Sequence, residues 1–225
     1  MAVSFFVWFL KGNNGKKILV DSGYIPEGPQ EIPLRYYLRT DSALLRVNVK
    51  ADEITDLIIT HPHFDHIGGI QLFSKATVWM QKNDFLYFVG DAWQKGGNHN
   101  ALDKKDVRNI IEVNLEGRLR LVNGDSVEII PGIEAFTGSK HSFENQYLLI
   151  NAHTDKVLLA SDACWFYYNL DRLLSVPLVM DANAYINQLK RMKTLISDPE
   201  LIIPGHDRLV LSKFPQVAEH VVKIR

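Results

Sequence analysis

The chain has one cysteine, Cys164, in 225 residues. A lone thiol excludes an intrachain disulfide framework and a zinc module built on clustered cysteines. It suits a reducing, cytoplasmic setting. An excess of charge of one sign is also missing. The 25 Lys and Arg against 26 Asp and Glu leave a formal net charge of -1, so there is no general attraction to nucleic acid or to an anionic membrane. Long apolar runs are absent. The opening "MAVSFFVWFL" has no basic leader or small-residue cleavage site, meets a polar turn at once and falls far short of a bilayer span. No nucleic-acid partner, membrane anchor or exported form is expected. Repeats, low-complexity tracts and an obvious linker are lacking too, so residues 1–225 are expected to form a single domain.

What is present is an alternation of strand-like and helix-like stretches. "SFFVWFL", a Gly-Asn turn and "KKILVD" read as a hairpin opening a sheet. "GYIPEGPQEIP" reads as an ordered loop. "KADEITDLIIT" reads as a helical turn entering a buried strand, "HIGGIQLF" as a turn into a helix, and "ATVWMQ" as a further strand. Residues 82 to 115 look mostly helical around the loop "QKGGNHN", and residues 118 to 163 give strand after strand. Residues 181 to 197 form an amphipathic helix pattern, "LIIPGH" a strand running into a loop, and the tail a final helix. The expected class is α+β: two mixed sheets packed face to face with helices outside, an αβ/βα four-layer sandwich.

The densest chemistry lies in "THPHFDHIGG", residues 60 to 69, which holds three of the eight histidines. On an extended segment, alternate side chains point the same way, so His61 and His63 can grip one ion. Asp65 and His66 follow where the chain bends into a helix, and can grip a second. Imidazole and carboxylate without thiolate suit zinc, with manganese, iron or cobalt also compatible. Three more residues stand at the ends of apolar strands: His141 after "IEAFTG", Asp162 in "VLLASD", and His206 after "LIIPG". A carboxylate at Asp162 could bridge two ions. The repeated placement, an apolar strand ending in a potential ligand, favours a shared metal site over separate structural roles.

These motifs, in this order, resemble those of the metallo-β-lactamase superfamily, with "ILVDSG" and Asp21 similar to its early strand motif. The resemblance spans nearly the whole chain. It implies two metal ions at one edge of the two sheets. His61, His63 and His141 would hold the first ion, Asp65, His66 and His206 the second, with Asp162 between them and Asp21 orienting a ligand. Within the superfamily, flavodiiron proteins carry a Glu where this chain has His63, and true zinc β-lactamases lack the bridging Asp. The phrase "EITDLIITHPHFDHIGG" most resembles the N-acyl homoserine lactonase branch. Two features depart from that branch. Its Gly-His-Thr-Pro-Gly is "SKHSFEN" here, and the tyrosine expected three residues after the bridging Asp is Trp165.

The resemblance implies a hydrolase that opens a lactone or cleaves a similar small ester. A water shared by two divalent ions supplies hydroxide near neutral pH, and Asp65 would pass a proton to the leaving alkoxide. Tyr167 or Tyr168, taken to lie on an extended segment, could supply the missing phenol; Tyr167 is the residue selected. Rivals are a thioesterase similar to glyoxalase II, a phosphodiesterase of the same fold, and a non-catalytic metal-binding protein. Phe64, Trp165, Phe166 and Tyr167 could line an apolar pocket. Cys164 reads as core, His99 as an exposed loop residue, and His153 and His220 as structural or solvated positions, in a hairpin and in the terminal helix.

Overall fold

The computed structural model describes residues 3–12, 14–26, 34–153 and 155–225. The expected loop "GYIPEGPQEIP" lies largely outside them, since residues 27–33 are not described. Two five-stranded sheets organise the rest, and each mixes parallel with antiparallel pairs.

In the first sheet, β1 (Trp8–Lys11) and β2 (Lys17–Val20) form the expected hairpin. β3 (Asp56–Ile58) and β4 (Thr77–Gln81) then add in parallel, and β5 (Leu119–Val122) closes the order β1-β2-β3-β4-β5. β3 is buried at every residue, which is why "DLIIT" reads as one apolar run rather than an alternation. In the second sheet, β6 (Val127–Ile130), β7 (Ile133–Phe136), β8 (Tyr147–Ala152) and β9 (Asp155–Ser161) pair antiparallel in sequence. β10 (Ile202–Pro204) joins β9 in parallel.

Helices fill the connections. α1 (Thr40–Leu45) precedes β3, and α2 (Phe64–Ile67) carries part of the histidine motif. α3 (Lys82–Val89) and α4 (Lys104–Leu115) occupy the stretch read as helical. Asp103 caps α4, its carboxylate accepting from the Lys105 N–H at 2.7 Å. α5 (Tyr167–Arg172) follows β9, and α6 (Ala182–Leu195) precedes β10. Asp181 caps α6 by accepting from Asn183 and Ala184. The α6 residues Tyr185, Leu189 and Met192 recur at helical spacing and bury against Phe136, Tyr147 and Leu158.

The chain divides into two compact units, residues 7–79 with 88–120, and residues 1–6 with 80–87 and 121–225. Among the described residues, no helix is long and apolar enough to cross a membrane.

Three expectations are corrected. The tail is not a helix: α7 (Val210–Lys213) is one turn, followed by the antiparallel pair β11 (Gln216–Ala218) and β12 (Val221–Val222). Pro215 is the reason, because the residue before a proline avoids the helical region, and Phe214 is extended at φ -117° and ψ 153°. His220 therefore sits in a hairpin turn at φ 57°, not in a helix. The helix after His66 stops at Ile67, where Gly68 and Gly69 intervene before a 3-10 turn at Ile70–Leu72. Tyr167 and Tyr168 are helical, not extended.

Candidate metal centre

Parallel pairing delivers the first donors. Val20 and Ile58 are register partners in β2 and β3, so both strands end at one edge of the sheet. Asp21 leaves one strand there and Thr60 and His61 leave the other. Asp21 adopts a left-handed backbone, φ 61°, and its N–H donates to Ile58 O at 2.8 Å. A non-glycine residue in that region is strained, a cost concentrated at functional sites. The turn turns its carboxylate back over the edge. Asp21 Oδ1 accepts from the Thr60 N–H at 2.8 Å, and the Thr60 hydroxyl lies 2.9 Å from each carboxylate oxygen.

This arrangement sets two imidazoles. His66 Nδ1 lies 2.8 Å from Asp21 Oδ2, so Nδ1 carries the proton and Nε2 is turned outward. His61 Nδ1 lies 3.1 Å from Thr60 Oγ1, whose single proton is directed at Asp21. Thr60 must then accept from His61, which turns Nε2 outward there as well. His61 Nε2 lies 2.9 Å from His63 Nδ1, and His66 Nε2 lies 3.2 Å from Asp65 Oδ2. All of these side chains are buried.

The segment is clipped in place by Ser22. Its hydroxyl donates to His66 O at 2.9 Å and accepts from the Gly69 N–H at 3.1 Å. The approach is close enough that a Cβ on Gly69 would fall 2.2 Å from Ser22 O. The Gly-Gly after the histidine motif is therefore a packing requirement.

The other unit repeats the device. β9 and β10 are parallel, with Pro204 opposite Ser161, so Asp162 and His206 emerge at one edge. Ser161 is left-handed at φ 45°, as is Lys140 at φ 54° beside His141. Asp162 divides its carboxylate between two imidazoles: Oδ2 lies 3.0 Å from His141 Nε2, and Oδ1 lies 2.9 Å from His206 Nε2. His206 Nδ1 donates to Ser4 O at 2.8 Å, which again turns Nε2 toward the carboxylate. Trp165 donates its indole N–H to Asp162 Oδ2 at 2.7 Å.

The donor chemistry fits metal ions. A carbonyl or carboxylate already takes the Nδ1 proton of His206 and of His66. A neutral ring then presents a lone pair to a carboxylate oxygen, acceptor against acceptor, at 2.9 Å in one case and 3.2 Å in the other. Such contacts need positive charge, supplied by a second proton or by a shared cation. In each unit these buried His and Asp side chains, with no thiolate among them, are donors suited to a hard or borderline divalent ion.

Two supporting residues have no signature in the sequence. Asp84, at the start of α3, accepts from the Glu144 N–H at 3.0 Å and the Ser142 hydroxyl at 2.8 Å. Asn145 Oδ1 accepts from the His141 N–H at 3.2 Å and from the Ser139 hydroxyl at 2.5 Å. Together they pin the loop "SKHSFEN". Burial pushes the Asp84 carboxyl up to about 6, against the lowering effect of the two hydrogen bonds.

The remaining residues fall as follows. Tyr167 is buried while Tyr168 is 53% exposed. The Tyr167 hydroxyl meets no hydrogen-bonding partner among the described residues, burial pushes its pKa up, and the Lys213 ammonium lies 4.2 Å from its ring centroid. Phe64 packs edge-on against Tyr24. Cys164 is fully buried core, its thiol pushed up by desolvation. His99 is exposed and stacks on Trp93, and His153 occupies the turn after β8.

A family profile described as the metallo-beta-lactamase superfamily matches residues 2–206. An N-acyl homoserine lactonase of Bacillus cereus is 27% identical over 172 residues, which is 75% of this chain and 62% of that protein. The chain thus spans less than two thirds of the length of that curated relative. A crystal structure of a Bacillus thuringiensis AiiA variant with N-decanoyl-L-homoserine bound superposes with a TM-score of 0.72 at 21% identity, covering 97% of this chain and 87% of that one. AidC, a dizinc quorum-quenching lactonase, superposes with a TM-score of 0.67 at 16% identity, covering 91% and 72%. At these identities the structural likeness is one of fold, and it agrees with the expected architecture of two mixed sheets with helices. The match across residues 2–206, on this fold, assigns the chain to the metallo-beta-lactamase superfamily.

Proposed function

We propose that the chain is a metal-dependent hydrolase that opens a lactone or cleaves a similar small ester. In this reading His61, His63 and His141 would hold one divalent ion and Asp65, His66 and His206 a second, with the Asp162 carboxylate shared between them. The carrying observation is the Asp162 carboxylate, whose two oxygens face two different imidazoles. Zinc is the first choice, with manganese, iron and cobalt also suited to these donors. When bound, two such ions supply Lewis acidity and a water that ionises near neutral pH.

The chain's own residues do the rest. Asp65 is assigned to pass a proton to the leaving alkoxide, its carboxylate lying among the donor imidazoles with one oxygen 3.2 Å from His66 Nε2. Tyr167 is assigned as the donor to the substrate carbonyl. Its hydroxyl is buried and not engaged by any described residue, which supports a donor held ready for a ligand. The relatives named N-acyl homoserine lactonase support a homoserine-lactone-like substrate, and with it a quorum-quenching role. The lone thiol Cys164 supports a cytoplasmic setting.

The test is turnover of a panel of lactones, esters, thioesters and phosphodiesters by protein loaded with each metal in turn. Lactones should be the best substrates, with two ions bound per chain. Preference for thioesters or phosphodiesters would move the chain to those branches. Two bound ions with no turnover of any class would leave a metal-binding protein without catalysis.

A further inference from the structure

Trp165 stands three positions after Asp162, and its backbone is held on both sides. Its N–H donates to the Tyr185 hydroxyl at 3.2 Å, and its carbonyl accepts from the His206 N–H at 3.0 Å. The preceding carbonyl, of Cys164, accepts from Gly205 at 2.8 Å. The same backbone pairing that delivers His206 therefore fixes the indole. From that position the ring meets His206 edge-on at 5.2 Å and His141 at 5.8 Å between centroids, and its N–H reaches Asp162 Oδ2 at 2.7 Å.

An indole N–H can donate but never accept, so this bond has one direction. It occupies one lone pair of Oδ2, the oxygen that also faces His141 Nε2 at 3.0 Å. The carboxylate cannot rotate without losing the bond. Its remaining lone pairs are thereby aimed at the His141 and His206 sides. The lactonase branch resembled by this chain carries a tyrosine here, whereas this chain directs an indole donor at the carboxylate.

We propose that Trp165 is a positioning residue that orients the Asp162 carboxylate and so sets the affinity of the ions it bridges. The inference rests on the dinuclear reading above. Residues that hold a metal ligand from behind typically govern about 10- to 100-fold in metal affinity.

The test compares wild type with Trp165→Phe, which keeps an aromatic ring and removes the N–H. Metal-free protein is titrated with Zn²⁺ against a chromophoric chelator, with urea unfolding of the metal-free forms run alongside. The expected result is zinc binding weakened about tenfold or more in the variant, at an unchanged urea midpoint. Tryptophan emission should change on zinc addition in wild type and stay flat in the variant, although Trp8, Trp79 and Trp93 remain. Equal zinc affinity in the two proteins overturns the positioning role and leaves the dinuclear reading intact. Wild type that binds no zinc overturns both. Should the variant fail to fold, wild type labelled with ¹⁵N-tryptophan decides the matter. One of the four indole N–H resonances should be protected from exchange and move on zinc addition; four unmoved resonances overturn the proposal.

Discussion

Asp21 and Thr60 lie 39 residues apart in sequence, yet both Asp21 oxygens flank the Thr60 hydroxyl at 2.9 Å. Through that hydroxyl one carboxylate governs His61 as well as His66. Asp21→Asn keeps the shape but offers an NH2 group at one of the two oxygens, where either His66 Nδ1 or the Thr60 N–H needs an acceptor. It should weaken metal binding about 10- to 100-fold. Chelator competition on the purified variant checks this, and wild-type affinity would remove Asp21 from any orienting role.

The two tyrosines of α5 give a sharp comparison. The Tyr167 hydroxyl is buried and Tyr168 is 53% exposed. Tyr167→Phe should lower lactone turnover about fivefold, the loss of one hydrogen bond worth roughly 1 kcal/mol in the transition state. Stability should hold or rise, since a buried polar atom is removed. Tyr168→Phe should be silent. Wild-type rates from Tyr167→Phe would leave the carbonyl to the ions alone.

Gly69→Ala tests the clip to Ser22. A methyl would lie 2.2 Å from the Ser22 carbonyl oxygen, so backbone must shift on one side. A loss of about 1–3 kcal/mol in urea unfolding is expected. An unchanged midpoint would mean that this approach is not needed for folding.

Asp84 makes stability depend on pH in an unusual direction. Its carboxyl is raised from 3.8 to about 6 by burial, so the folded value lies above the unfolded one. The native state then binds the extra proton between those values, and stability falls as pH rises through about 6. Asp84→Asn can still donate to Ser142 and accept from Glu144. It should gain on wild type by about 3 kcal/mol between pH 4 and pH 7, from roughly two pH units at about 1.4 kcal/mol each. Urea midpoints of both proteins at the two pH values measure the difference. A pH-independent difference would refute the raised value.

Much of this was legible in the sequence, for identifiable reasons. Parallel strands buried on both faces appear as unbroken apolar runs, so β3, β9 and β10 stand out, and their ligands follow directly in the chain. Asp84 does not stand out, because it serves Ser142 from 58 residues away and reads as an ordinary first-turn acid of α3. Asn145 is hidden in the same way, since its side chain doubles back on its own loop. The tail looks helical in sequence, but Pro215 outweighs the residues around it. The helix at Tyr167 is hidden in sequence because aromatic residues carry strand propensity, which tertiary packing overrides.

The pairing of strand ends has a further consequence. Within each unit, donors are brought together only because two parallel strands stop level, Val20 with Ile58 and Ser161 with Pro204. Slippage by one residue would carry a donor about 3.3 Å along the strand and turn it to the opposite face. A chain paired one step out of register could not load its ions. With the proposed ions bound, metal per chain would count correctly threaded molecules, and chelation would remove the ions' share of the preference for native threading, leaving the share held by the buried apolar strands.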